Sequence, residues 1–416
     1  MTIQIAAIVG LIAMFIIATL LPINMGALAF VGAFIIGLIA HIPPRDIFAG
    51  FPSDLFVTLV GITYLFAIAQ KNGTVDWLVH KSVWLVRGFI AVIPWVMFFT
   101  AGLLTAVGAV SPAAVAIIAP IGLRFAHKYN LDPLLMGLMV IHGAQAGGFS
   151  PISIYGGITN QVVERAGLPR NTLALFLASL LFNSLIAVVI FFYFRRHRTT
   201  SSARIPLETP ELPVEQNRLN LHRVLTLLGL IGLSIGSLIF ELNVGLVAIT
   251  VAVILALLSP STQKGAVERI SWSTVLLVTG VITYVAVLQK VGAVELVGNS
   301  VSRIGLPLLG ALLLCYIGGI VSAFASSIAV LGATIPLAVP FLLQGDVHPV
   351  GIVAAIAVST TIVDVSPFST NGALVLANSQ GIDRDLFYRQ MLIYSGVVVA
   401  VGPFLTWLLL VAPGWI

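Results

Sequence analysis

Two stretches decide how this chain is read: GGFSPISIYGG at 147–157 and DVSPFSTNGA at 364–373. Each interrupts an apolar run, 131–165 and 348–380, that is too long for one straight crossing of a bilayer, which takes about 20 residues. Glycine, Ser-Pro and polar side chains in mid-run free backbone N–H and C=O groups that lipid cannot satisfy. Such breaks are tolerated only against protein or a water-filled cavity. We therefore read each run as one crossing built from two half-helices. Two further runs, 90–125 and 304–343, are too long for one crossing and too short for two with a loop. They break at GAVSPAA (108–114) and AFASSIAV (323–330), which predicts two re-entrant hairpins whose arms meet inside the membrane.

The rest of the sequence fits this reading. Of 416 residues, 59% are hydrophobic and 8% charged, and the mean hydropathy is +1.10. A soluble domain carries roughly 25% charged residues, so a soluble enzyme, a disordered chain and a nucleic-acid-binding protein are excluded. Further apolar segments at 3–21, 24–41, 54–70, 171–194, 222–240, 243–259, 272–289 and 386–412 bring the expectation to an all-α polytopic membrane protein with ten crossings and two hairpins. Residues 195–219 form the only linker, rich in charge and proline. Cys315, the single cysteine, reads as a buried small hydrophobe. With the linker placed in the cytoplasm, only Arg45, Arg165, Arg170, Lys290 and Arg303 of the 20 basic residues fall outside. The positive-inside rule then puts both termini outside, in the inner (plasma) membrane. The stretch Lys71 to Arg87 reads as an amphipathic helix lying at the interface, and Trp95, Trp272, Trp407 and Trp415 read as belt residues.

The halves resemble each other. Thr63-Tyr64, Gln70-Lys71 and Gly73 recur as Thr283-Tyr284, Gln289-Lys290 and Gly292. Ser111, Pro120, Ser150-Pro151, Ser153 and Gly156 recur, at one constant offset, as Ser327, Pro336, Ser366-Pro367, Ser369 and Gly372. We expect two repeats, 1–194 and 220–416, each with five crossings and a hairpin. Five is odd, so the second repeat enters from the opposite side. Inverted repeats with discontinuous helices near the midplane are a common construction of secondary transporters. The sequence lacks the H-E-x-x-H spacing and the paired carboxylates an intramembrane enzyme needs.

The four breaks are expected to converge. The hairpin tips carry Ser111 and Ser326-Ser327. The broken crossings carry Ser150, Ser153, Tyr155, Thr159 and Asn160, and Asp364, Ser366, Ser369, Thr370 and Asn371. The expected substrate groups are Ser111, Ser150, Ser153, Ser326, Ser327, Ser366, Ser369, Thr370 and Asn371; Asp364, Thr159 and Asn160 are expected at ion coupling. Half-helix N-termini favour anions, hydroxyls and freed carbonyls suit a hard cation, and Ser111-Pro112 reads as N-cap followed by Pro at N1. No Lys or Arg lies deep in the predicted core, so an anion there is held by helix ends, hydroxyls and a co-bound cation. Intramembrane acids are usually functional, which singles out Asp364. His142 reads as a packing histidine bonded to a carbonyl, with Gln145 and Gln161 similar cases.

In LPINMGALAFVGAF (21–34), IFAGFPSDLF (47–56), GLMVIHGAQAGGFSPISIYGGITNQ (137–161), SAFASSIAVLGA (322–333) and STTIVDVSPFSTNGALVLAN (359–378), the chain resembles the ion transporter superfamily, and more closely its MatC-type malonate/dicarboxylate carriers. The superfamily includes divalent anion/sodium symporters and arsenite pumps. The resemblance implies uptake of a C3–C4 dicarboxylate, malonate among them, by an elevator movement in a homodimer. Sodium is an implied co-transported ion, and no cofactor is implied. Related symporters carry Ser-Asn-Thr at the hairpin tips; here the tips read Val110-Ser111-Pro112 and Ser326-Ser327-Ile328, without the Asn. Proton coupling through Asp364, a cation/proton antiporter and an arsenite-type efflux carrier stand as alternatives.

Overall fold

A computed structural model describes residues 2–85, 90–197, 219–260, 264–302, 307–343, 348–379 and 383–413. These residues form helices and no strand. Most of the linker lies outside the described residues, as do Arg87, Arg303 and Trp415.

The first half lays down α1 (Thr2–Leu20), α2 (Met25–Ile39), a short α3 (Pro44–Ala49), α4 (Ser53–Lys71), α5 (Thr74–Leu85), α6 (Ile93–Ala106), α7 (Ser111–Lys128), α8 (Pro133–Gly147), α9 (Ile154–Arg165) and α10 (Thr172–His197). The second lays down α11 (Leu221–Leu238), α12 (Val244–Leu258), α13 (Trp272–Lys290), α14 (Ala293–Ser302), α15 (Pro307–Ser322), α16 (Ser327–Leu342), α17 (Pro349–Ile362), α18 (Thr370–Ala377) and α19 (Arg384–Leu410). By length and composition α1, α4, α10, α13 and α19 can each cross a membrane; the other apolar helices are shorter. The predicted hairpin runs each become two helices, turning at 107–110 and 323–326. The predicted broken crossings part at 148–153 and 363–369.

Local chemistry sets these boundaries. Asn24 and Asn243 cap α2 and α12 at equivalent places, accepting from Gly26 N at 2.8 Å and Leu246 N at 3.0 Å. Gly73 and Gly292 adopt φ of +76° and +72°, which glycine takes without steric cost, and end α4 and α13. The predicted interfacial helix consequently starts at Thr74 and not at Lys71, which belongs to α4. Beyond Gly292 the second half forms α14, a short helix the hydropathy pattern did not single out.

Close helix pairing crosses between the halves: α4 packs on α12, and α13 packs on α2. Each contact rests on glycine. A Cβ on Gly245 would strike the Thr58 backbone, and one on Gly61 the Gly245 carbonyl. A Cβ on Gly280 would strike the Gly26 backbone, and one on Gly26 that of Leu276 and Leu277. Small residues permit this approach, and without a hydrophobic drive between helices in lipid, close packing is what holds them together. Tyr284, fully buried, fastens α13 to α1 by donating to the Ala7 carbonyl at 2.7 Å. The hairpins and broken crossings form the rest of the molecule. Within each half the first hairpin arm lies on the first half-helix, α6 on α8 and α15 on α17. Across the halves, α7 packs on α18 and α16 on α9.

Gly280→Ala and Gly245→Ala each destabilise the protein by about 1–3 kcal/mol, the usual cost of overpacking. Melting temperature and monodispersity in detergent gel filtration report the loss. Gly232→Ala is the control and leaves both unchanged, since nothing lies within 4 Å of its added Cβ.

Candidate functional site

The two broken crossings are held open by the same device. Ser369 donates its hydroxyl to the carbonyls of Asp364 at 2.8 Å and Ser366 at 2.7 Å, and caps α18 by accepting from Gly372 N. Ser153 donates to Gly148 O and to Ser150 O at 2.7 Å, and caps α9 by accepting from Gly156 N. Gly156 and Gly372 are obligatory, because a Cβ at either would strike the Ser150 or Ser366 carbonyl. These hydroxyls are spent on the shape of the breaks. Ser150 donates to Ala106 O and ties the first break to its hairpin, while Ser366 accepts from Phe368 N at 3.3 Å.

The first turns of four half-helices meet at Asp364. Asn371, in the first turn of α18, donates from Nδ2 to Asp364 Oδ2 and to Ser111 Oγ, both at 2.8 Å. Ser111 opens α7; it is the first residue of that helix and Val110 occupies the N-cap, which corrects the expectation that Ser111 is the cap. Val110 already takes the extended conformation of a cap, so the serine hydroxyl is released to face Asn371. Tyr155, in the first turn of α9, is hydrogen-bonded to Ser111 and lies near Asp364. Ser327, which opens α16 and accepts from Ser322 Oγ at 2.9 Å, lies with Ser369 beside the Asp364 carboxylate. All of these groups are buried. Asp364 Oδ1 and Asn371 Oδ1 lack hydrogen-bond partners, leaving two acceptor oxygens in one cluster. Both hairpin helices begin without a side-chain cap, including α16 after Ser326.

The remaining predicted residues are distributed differently. Thr370 is exposed and Ser326 half-buried. Thr159 is fully buried with no partner for its hydroxyl, and Asn160 donates to Gly156 O at 2.7 Å. Asn160 lines a cavity of about 650 Å³ with Thr58, Pro151, Gln161, Glu164 and Arg170. At that cavity α4 and α9 are bridged by Gln161 donating to Thr58 Oγ1 at 3.0 Å and by the Arg165–Asp54 ion pair. His142 does pack, and the carbonyl it meets is that of a side-chain amide and not of the backbone. Its Nδ1 meets Asn183 Oδ1 at 2.9 Å and its Nε2 the Tyr394 hydroxyl at 2.8 Å, joining α8, α10 and α19. Gln145 is buried with both amide atoms unpartnered. Sequence reading missed Ser322, Asn183 and Tyr394, because a lone polar residue in an apolar helix shows no spacing that reveals its partner. Among the described residues no group of acids, histidines and cysteine suits a metal ion.

Among solved structures, the YdaH transporter of Alcanivorax borkumensis has a similar fold, with TM-score 0.63 at 14% identity, covering 87% of this chain and 86% of that one; its topology is described as unusual. The chain has the fold of a multi-span membrane transporter. Residues 1–148 match the family described as dicarboxylate carrier protein MatC N-terminus, so the expected likeness to MatC-type carriers holds, and the chain is a transporter and not an enzyme. No curated protein matches it.

Replacing Ser153 or Ser369 by Ala removes an N-cap and lowers stability by about 1 kcal/mol, read as a drop in melting temperature. Ser326→Ala leaves the melting temperature unchanged, because the Ser326 hydroxyl caps nothing.

Proposed function

We propose that this chain imports a small dicarboxylate, malonate or a similar C3–C4 diacid, across the inner membrane by secondary active transport. The observation that carries the reading is the meeting of four half-helix first turns, those of α7, α9, α16 and α18, around Asp364 and Asn371. Helix N-termini present N–H groups and the positive end of the helix dipole. Four of them together suit a ligand with two carboxylates where, among the described residues, no Lys or Arg is buried close by. The match of residues 1–148 to a dicarboxylate carrier family supports the same substrate class.

Coupling follows from charge. An ionised Asp364 repels a dianion entering the same cluster, so a cation must neutralise it first. The unpartnered Asp364 Oδ1 and Asn371 Oδ1, with the Ser111 and Ser327 hydroxyls nearby, suit either a sodium ion or a proton on the carboxyl. Ion and substrate then move together, because neither is well accommodated alone. Thr159 and Asn160 stand farther along α9 and enter this reading as secondary ion contacts. Ser150, Ser153, Ser366 and Ser369 shape the site, while Ser326 and Thr370 line its approach.

The movement fits an elevator. The glycine-packed pairs α4/α12 and α13/α2 serve as the frame, and the hairpins with their broken crossings serve as the moving body, in two inverted repeats within a homodimer. Asp54–Arg165 and Thr58–Gln161 join frame to moving body beside α9, Thr19 donates to the Phe324 carbonyl at 3.3 Å beside the second hairpin, and these contacts must part during the cycle. The outer mouth is then the cavity beside α9, with both termini outside and 195–219 in the cytoplasm. Asp364 is the only Asp or Glu buried among the described residues, which disfavours a cation/proton antiporter.

Proteoliposomes with labelled malonate, succinate and malate test the proposal under sodium and proton gradients imposed separately. We expect accumulation under one gradient, and Asp364→Asn to abolish its dependence on that ion. If no dicarboxylate accumulates under either gradient, the carrier reading is wrong; if Asp364→Asn keeps full ion dependence, coupling lies elsewhere.

A further inference from the structure

The second break carries an exposed pair of rings, whereas the pair at the first, Phe149 and Tyr155 with centroids 5.4 Å apart, is buried. Phe324, in the hairpin turn, stacks on Phe368, in the broken crossing, with ring centroids 5.7 Å apart and planes 24° from parallel. Tyr388 meets Phe368 edge-on at 6.3 Å and fixes its outer side. At the equivalent places the first half has Gly108, with no side chain, and Ile152, which is buried. The rings are 52% and 51% exposed, and they belong to the hairpin turn that precedes Ser327 and the break that carries Asp364. Backbone order explains the placement: Phe324 lies two residues before Ser326 and Phe368 two before Thr370. Those two residues are the site groups left accessible, since Ser111, Ser327, Asp364 and Asn371 are buried. The accessible groups of the predicted site thus each stand two residues from a ring.

We propose that the Phe324–Phe368 stack is the wall that sets how long a diacid the site accepts; this rests on the dicarboxylate reading above. An aromatic ring presents a negative face, so it offers nothing to a carboxylate and ordinary van der Waals contact to a methylene. Both carboxylates are therefore directed away from the rings, toward the helix N-termini, and the alkyl spacer is left against the wall. A spacer with extra methylenes meets the rings before its second carboxylate reaches a donor. The wall is one-sided because the first half has Gly108 and Ile152 at the equivalent places and its own rings, Phe149 and Tyr155, are buried.

The test is uptake of labelled malonate into proteoliposomes, inhibited by unlabelled malonate, succinate, glutarate and adipate. Phe324→Ala and Phe368→Ala are expected to transport malonate still and to gain about tenfold in sensitivity to the next longer diacid, the scale of one methylene in an apolar pocket. Phe324→Trp narrows the space and is expected to weaken inhibition by succinate relative to malonate. Ala variants that transport malonate with the wild-type order of inhibition overturn the proposal. Should the Ala variants fail to fold, Phe324→Leu and Phe368→Leu keep apolar bulk without the flat ring. The same shift in order, smaller in size, supports the wall, and an unchanged order overturns it. If the wild-type protein takes up no diacid, the carrier reading itself fails, a result distinct from an unchanged order of inhibition.

Discussion

Ser369 satisfies two carbonyls and one amide in a single break, and Ser153 does the same in the other. Inside an apolar layer a freed backbone group has no water to bond, and leaving it unmade costs several kcal/mol. One hydroxyl that donates inward and accepts from the next helix removes most of that cost. The glycine three residues on is the other half of the device, since only a missing Cβ lets the chain fold back over the serine's own turn. With the breaks stabilised this way, four half-helices can begin in the interior of the protein, and their first turns can face one another.

What those first turns enclose is a carboxylate held in a cage of neutral donors. Asn371 bridges Asp364 to Ser111, so residues from both halves depend on one amide. The halves are interlocked elsewhere as well. The hairpin helix of each packs on the broken crossing of the other, and the glycine-paired helices are exchanged in the same sense. The Thr58–Gln161 and Asp54–Arg165 bridges join α4 to α9 at one edge of this arrangement. The exposed Asp54–Arg165 pair has the low strength typical of surface ion pairs, about 0–1 kcal/mol.

Much of this was legible in the residues. The four interruptions fell where expected, because Gly, Pro and Ser in an apolar run have few other physical explanations. Asp364 stood out because an acid there is costly. Ser153 and Ser369 stood out by their repeated spacing but not as shape-holding caps, since a hydroxyl's partner is chosen by the turn it sits in. The N-cap position of Val110, one residue earlier than the Ser-Pro pair suggests, was decided by backbone conformation. The His142–Asn183–Tyr394 contact and the Phe324–Phe368 stack join residues far apart in the chain or in different elements, and no spacing rule reaches them.

Composition and periodicity by themselves determined that this is a helical membrane protein, where its helices break, and that its halves repeat. These are local consequences of hydrocarbon solvation and backbone hydrogen bonding, which act on neighbouring residues. The tertiary structure decided which half-helix faces which, that Asn371 meets Ser111 across the halves, and that Phe324 stacks on Phe368. Such outcomes depend on how closely backbones approach, as between the first hairpin and its broken crossing at Gly102, Gly143 and Gly147. That approach sets the register between helices, and register is a property of two surfaces together that neither sequence segment carries alone.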